Sequence, residues 1–114
     1  MADFLVLTLD CLDLDLQTAF WTGALGYTHE GGVGQYRALV HPGGGQPKLL
    51  LQGVPDVKAA KNRLHLDLHV ADVEAEAARL ESIGATRLQR VDEFGFFWVV
   101  MHDPEGNEFC VVPS

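Results

Sequence analysis

Basic residues are scarce in this chain: eight lysines and arginines stand against sixteen aspartates and glutamates, a formal charge of -8 with the histidines neutral. Such a balance repels phosphate backbones, so nucleic acid is a poor partner and neutral or cationic molecules are better ones. Cysteine is scarcer still. Cys11 and Cys110 are too few for a disulfide framework and are expected as buried free thiols. Long apolar runs are missing: FLVLTL at residues 4–9 follows an acidic residue, has no basic flank, and is too short for a signal peptide or a membrane span. A cytoplasmic protein without membrane contact is therefore expected. The glycine-rich strings GGVG and HPGGGQP lack the strand-to-helix setting and the lysine of a phosphate loop, and no serine stands in a nucleophile elbow. HPGGGQP, residues 41–47, reads as a hairpin loop.

What is present suffices for one compact domain. A hydrophobic share of 47% over 114 residues allows a real core but not two independent ones. The chain also repeats itself: VLTLDCLD at 6–13 matches HLDLHVAD at 65–72, an offset of 59 that preserves strand alternation and the final aspartate. Each segment leads into apolar residues at helical spacing, Leu16, Phe20, Ala24 and Tyr27 in the first half and Val73, Ala77, Leu80 and Ile83 or Gly84 in the second. Asp13 and Asp72 stand where N-caps belong, Glu74 and Glu76 suit the positive end of the second helix, and Gly26 and Gly84 fall near the helix ends. Trp21, about 100° off the first stripe, is expected at an edge or a dimer contact. Three strand-like segments follow each helix, near 27–31, 35–41 and 48–54, then near 86–93, 96–102 and 108–113, the last two joined by the turn DPEGN.

The predicted architecture is α+β: two tandem βαβββ modules, about 1–57 and 58–114, within one domain. Side by side they would curve their sheets around a concave cleft with the helices outside. Parity assigns Leu7, Leu9, Cys11, Leu64, Leu66, Leu68 and Val70 to the core. The same parity assigns Thr8, Asp10, His65, Asp67 and His69 to the cleft. Asp10 and Asp67 then need either partners, with Arg37, Arg63 or a histidine available, or a cationic or hydroxyl-rich ligand. Trp98, Phe94, Phe96, Phe97 and Tyr36 are candidate aromatic lining, although FFWVVM is apolar on both faces and does not say whether Phe97 or Trp98 faces the ligand. His29, His41 and His102 fall in or beside turns and are expected to be solvated.

The order and spacing of LTLDC, AFWTGALGY, KNRLHLDLHVADVEAEAARLESIGA and HDPEGNEFCVV resemble the vicinal oxygen chelate superfamily, and most of all its small bacterial glyoxalase-like domain proteins. That superfamily includes glyoxalase I, extradiol dioxygenases, methylmalonyl-CoA epimerase, and the bleomycin and fosfomycin resistance proteins. The resemblance covers nearly the whole chain. It implies dimerisation and, in the enzymes, a divalent metal held by one ligand on each of four strands. Carried over by position, those places are Val6, Gln52, His65 and Cys110, of which only His65 is a usual ligand. No resident cofactor is therefore expected. A divalent metal, if held, would rest on His65 with Asp67, Gln52 or Cys110. His65 and His69, on a strand rising about 3.3 Å per residue, stand too far apart to share one ion.

Two functions follow. The first is a binding protein of the bleomycin-resistance type, sequestering a small neutral or cationic molecule among Thr8, Asp10, Gln52, His65, Asp67, His69, Trp98 and Cys110. The second is a lyase, isomerase or dioxygenase using an altered metal shell or a His65–Asp67 acid-base pair.

Overall fold

The computed structural model describes residues 1–45 and 47–114; Gln46, within the expected 41–47 loop, lies outside the described residues. The chain divides into two compact units, Met1–Val57 and Lys58–Ser114. The first contains β1 (Val6–Cys11), α1 (Leu14–Leu25), β2 (Thr28–Gly31), β3 (Tyr36–Val40) and β4 (Lys48–Gly53). The second contains β5 (Leu66–Val70), α2 (Val73–Ser82), β6 (Thr86–Glu93), β7 (Phe96–His102) and β8 (Glu108–Pro113). Each is a βαβββ module with one four-stranded sheet, ordered β1-β4-β3-β2 and β5-β8-β7-β6. The first strand of each sheet runs parallel to the last, and the other pairs are antiparallel. The α+β class and the tandem modules are as the sequence predicts.

The capping chemistry acts where expected. Asp13 accepts a hydrogen bond from the Leu16 amide and Asp72 one from the Ala75 amide, both at 3.0 Å, closing the free ends of α1 and α2. Gly26 ends α1 in the left-handed region. In the DPEGN turn the buried Asp103 carboxylate accepts from the amides of Glu105 and Asn107 and from the Asn107 side chain, which sets β7 against β8. His41 plays a lesser version of this role after β3, its Nδ1 accepting from the Gly43 amide at 3.0 Å. His29 lies exposed in β2 and donates to the Gly31 carbonyl, and His102 ends β7 half-buried.

Each helix covers one face of its own sheet, α1 against β3 and β4, α2 against β8, β6 and β7. Between them lie Phe20, Trp21, Leu39, Leu49 and Leu51 in the first module and Ala77, Leu80, Val99, Met101, Phe109 and Val111 in the second. Three expectations need correction. Trp21 is 1% exposed and forms the core with Phe20, while Leu16 is exposed; the buried stripe of α1 is Gln17, Phe20, Trp21 and Ala24, rotated by one residue toward the sheet beneath, so that the polar Gln17 occupies a core position. Leu64 is 70% exposed, since it precedes β5 and has no helix above it. Leu7, Leu9, Leu66, Leu68 and Val70 are only half-buried, because β1 and β5 are the edge strands of their sheets whereas β4 and β8 are central.

Candidate functional site

The face of the second sheet that α2 leaves open carries the site. In-register neighbours across a sheet point to the same side, so pairing alone assembles its rows. Asp67 pairs with Cys110, Cys110 with Val100 and Val100 with Gln89, one row across all four strands. The next row contains Trp98 beside Val91, and Phe96 pairs with Glu93 at the hairpin end. A cavity of about 490 Å³ lies over these rows, lined by these side chains other than Glu93, together with Lys61, His65, Phe94, Glu108 and Val112. Of Phe97 and Trp98, it is therefore Trp98 that faces the cavity, together with Phe94 and Phe96. Phe97 faces away, beneath the Arg90 guanidinium at 3.7 Å from its ring centre.

Most of the polar groups lie at the β5–β8 side, with Gln89 on β6 at the far edge. His65, about half exposed, donates from Nδ1 to Asp67 Oδ1 at 3.1 Å, the histidine partner that parity left Asp67 in need of. One donor atom each from His65, Asp67 and Cys110 lies within 4.8 Å of the other two. Burial and the adjacent Asp67 carboxylate, which accepts from the thiol, push Cys110 up to about 11 against the opposing charge of Lys61. A thiol so held is a poor nucleophile at neutral pH. Nearby, burial alone would raise the Glu108 carboxyl, but the Asn62 amide, its own amide and Lys58 at 3.1 Å outweigh it and hold it below its ordinary range.

This arrangement has three chemical capacities. Apolar and aromatic walls can take up an organic molecule. The His65–Asp67 pair can hold or pass a proton, with Nε2 left as the acceptor. Imidazole, carboxylate and thiol form a mixed donor set that suits zinc-like cations better than magnesium or manganese, and three protein donors are the number a catalytic zinc takes. Binding a cation there would displace the Cys110 proton.

The remaining sequence candidates are not among the residues that line this cavity. His69, farther along β5, donates to the Pro113 carbonyl at 3.2 Å and does not line this cavity. Thr8, Asp10 and Gln52 belong to the open face of the first sheet, where Asp10 pairs with Gln52 and Gln52 with Tyr36. Asp10 is exposed, and Arg37, one of the partners offered for it, makes no ion pair with it among the described residues. Arg37 donates instead to the carbonyls of Gly34 and Tyr36. Register also gives Leu50 as the first-module counterpart of Cys110, since Thr8 pairs with Leu50 as Asp67 pairs with Cys110.

Lys61, Gln89, Val91, Val100, Glu108 and Val112 escaped the sequence reading. A signal for some of them was present: the DPEGN turn fixes His102 opposite Glu108, and counting back from it places Val100, Trp98 and Phe96 on the Cys110 face.

Comparison with known proteins agrees with this architecture. The enzyme of the glyoxalase/bleomycin resistance protein/dioxygenase family from Burkholderia phytofirmans is similar over 96% of this chain and 97% of its own, with 17% identity and a TM-score of 0.77. A variant of the fosfomycin resistance protein FosX from Listeria monocytogenes, in complex with Mn(II) and a dihydroxypropylphosphonic acid, is similar over 98% and 90%, with 15% identity and a TM-score of 0.81. The bleomycin-binding protein of Streptomyces verticillus, in complex with copper(II)-bleomycin, is similar over 100% and 99%, with 18% identity and a TM-score of 0.67. At these identities the likeness is one of fold. No curated protein sequence matches the chain. The family model of the glyoxalase-like domain matches residues 6–112, running through both modules. The chain therefore belongs to the glyoxalase-like domain family, within the vicinal oxygen chelate superfamily.

Proposed function

We propose that this protein binds a small, neutral or cationic organic molecule on the open face of its second sheet, in the manner of a bleomycin-resistance protein. The observation that carries the reading is the cavity of about 490 Å³ with apolar walls and most of its polar groups at one side, a common form for small-molecule sites. Trp98 supplies a flat apolar surface, while His65 and Asp67 orient polar groups of the ligand. The similarity to a protein solved with copper(II)-bleomycin supports it. The test is a thermal-shift panel of neutral and cationic organic molecules on the wild type and on Trp98→Ala. A true ligand at a hundredfold excess over its Kd adds about 2.7 kcal/mol to folding stability, and the variant should lose most of that rise. A panel that stabilises neither protein would defeat the reading.

A second reading is favoured by the proximity of His65, Asp67 and Cys110: a divalent cation held by one module, serving lyase, isomerase or dioxygenase chemistry. The Mn(II)-containing FosX structure supports metal use on this fold. The measurement is a Co(II) titration of reduced protein, with a near-ultraviolet thiolate-to-cobalt band expected in the wild type and lost in Cys110→Ala. Absence of any band at millimolar cobalt would rule against it.

The unbroken family match supports both modules belonging to one domain. Exposed Phe4, Leu5, Val33 and Leu64 support a homodimer, which sedimentation would test. Among the described residues no helix is long and apolar enough to cross a membrane. A cytoplasmic location is proposed with these, on the acidic composition and the two free thiols.

A further inference from the structure

Phe94 and Gly95 form a two-residue turn between Glu93 and Phe96, with φ of 56° and 81°. Two positive φ values in a hairpin of this length are the signature of a type I′ turn, for which Asn-Gly or Asp-Gly is the usual pair. Gly95 fits. Phe94 does not, because its Cβ crowds the following carbonyl in the left-handed region and an aromatic side chain offers no local hydrogen bond in compensation. It is the only residue other than glycine with positive φ among the described residues.

Packing does not explain its presence, since Phe94 is 84% exposed. Its ring instead begins a ladder along the cavity. Phe94 and Phe96 have centroids 6.4 Å apart, Phe96 and Trp98 5.8 Å, at interplanar angles of 38° and 47°. All three line the same cavity. Exposure falls inward, from Phe94 through Phe96 at 45% to the half-buried Trp98. Two cations lie near: Lys61 lines the same cavity, while Arg90 lies over Phe97 and is ion-paired with Asp92, so Arg90 does not compete for the ladder.

We propose that Phe94 is a ligand-contacting residue, kept in an unfavourable backbone conformation to extend the aromatic wall, and that the ligand it selects is a flat aromatic molecule, neutral or cationic. This rests on the cavity reading above and narrows its ligand class. Flat π faces at this spacing favour planar rings, and their negative quadrupoles tolerate positive charge and disfavour negative.

The experiment uses proflavine, a planar cationic dye, titrated into the wild type, Phe94→Asn and Phe94→Tyr, with melting temperatures measured alongside. Phe94→Asn restores the preferred turn residue and should raise Tm by about 3–5 °C. It should weaken dye binding by roughly three- to tenfold, the worth of one aromatic contact. Phe94→Tyr keeps the ring and should match the wild type in both. Equal dye binding by Phe94→Asn and the wild type would overturn the assignment of Phe94 and leave the cavity reading intact. So would a fall in Tm, which would make the ring part of the fold's own packing. A change of oligomeric state with unchanged dye binding would assign Phe94 to contact with a second copy and overturn the proposal. Wild-type protein that binds members of the organic panel but not proflavine would overturn the flat-ligand class alone. Failure with every compound would overturn the cavity reading as well.

Discussion

Matched by sheet register, the first module places Val6, Thr8 and Leu50 where the second places His65, Asp67 and Cys110. The same matching sets Tyr36 against Trp98 and Ala38 against Val100 on the open faces. One scaffold thus carries a donor cluster in one copy and aliphatic or hydroxyl groups in the other. The covered faces differ in another way. The first module puts its aromatic bulk on the helix, as Phe20 and Trp21, over Leu49; the second puts Phe109 on the sheet, opposite Ala77 and Leu80. The bulk has moved across the core while the layer is still filled, as volume-conserving repacking allows. The difference teaches that the repeat constrains the packed face through total volume and leaves the open face free to diverge in chemistry.

The core half of this comparison should give the largest effects. Trp21→Ala and Phe109→Ala each remove a nearly fully buried ring, and each is expected to cost about 3–5 kcal/mol in urea unfolding. With one tryptophan per module, Trp21→Ala leaves Trp98 as the sole tryptophan to report on what remains.

The donor cluster offers a test by subtraction and by transplant. On the metal reading, Cys110→Ala should weaken Co(II) binding by at least about a hundredfold. Grafting the cluster onto the first module, as Val6→His with Thr8→Asp and Leu50→Cys, should raise the Co(II) stoichiometry from one to two per chain by equilibrium dialysis. A stoichiometry that stays at one would show that register equivalence is not enough to build the site.

The turns separate the modules by a smaller margin. Asp103→Ala removes a buried acceptor, strands the donors that it satisfied and should cost about 1–3 kcal/mol, whereas His41→Ala removes one exposed bond and should cost under about 1 kcal/mol. Equal losses would mean that the two turns are equivalent anchors.

The smallest effect concerns the second module's surface. Arg87 donates to Glu74 and Glu81, tying β6 to α2. The hydrogen bond from Arg87 holds the Glu74 carboxyl below its ordinary value of 4.5. A lowered carboxylate stabilises the fold above its unfolded value and ceases to do so as pH falls through its folded one. Arg87→Met should therefore lower Tm by about 1–3 °C at pH 7 in low salt, and the two proteins should converge in acid or at high ionic strength.

Much of this molecule was legible in the sequence because its determinants are local. The strands declared themselves by alternation, the caps by Asp13 and Asp72, the hairpin by DPEGN, and the duplication by an offset of 59.

Tertiary structure decided the rest. His65 and Asp67 lie more than forty residues before Cys110, and the parallel pairing of β5 with β8 brings their donors together. That pairing depends on a crossover through α2, β6 and β7, and no local periodicity encodes it. Trp21 and Leu16 exchanged their expected places because a helix's apolar stripe is fixed by the sheet beneath it, which selected the face containing Gln17. Phe94 reads as another apolar residue near a strand end; only the backbone shows that it occupies a position suited to asparagine or glycine. Composition and spacing determined which elements form and which chemistry is available, because those depend on neighbours in sequence; which side chains meet was decided by strand register and helix rotation, which depend on neighbours in space.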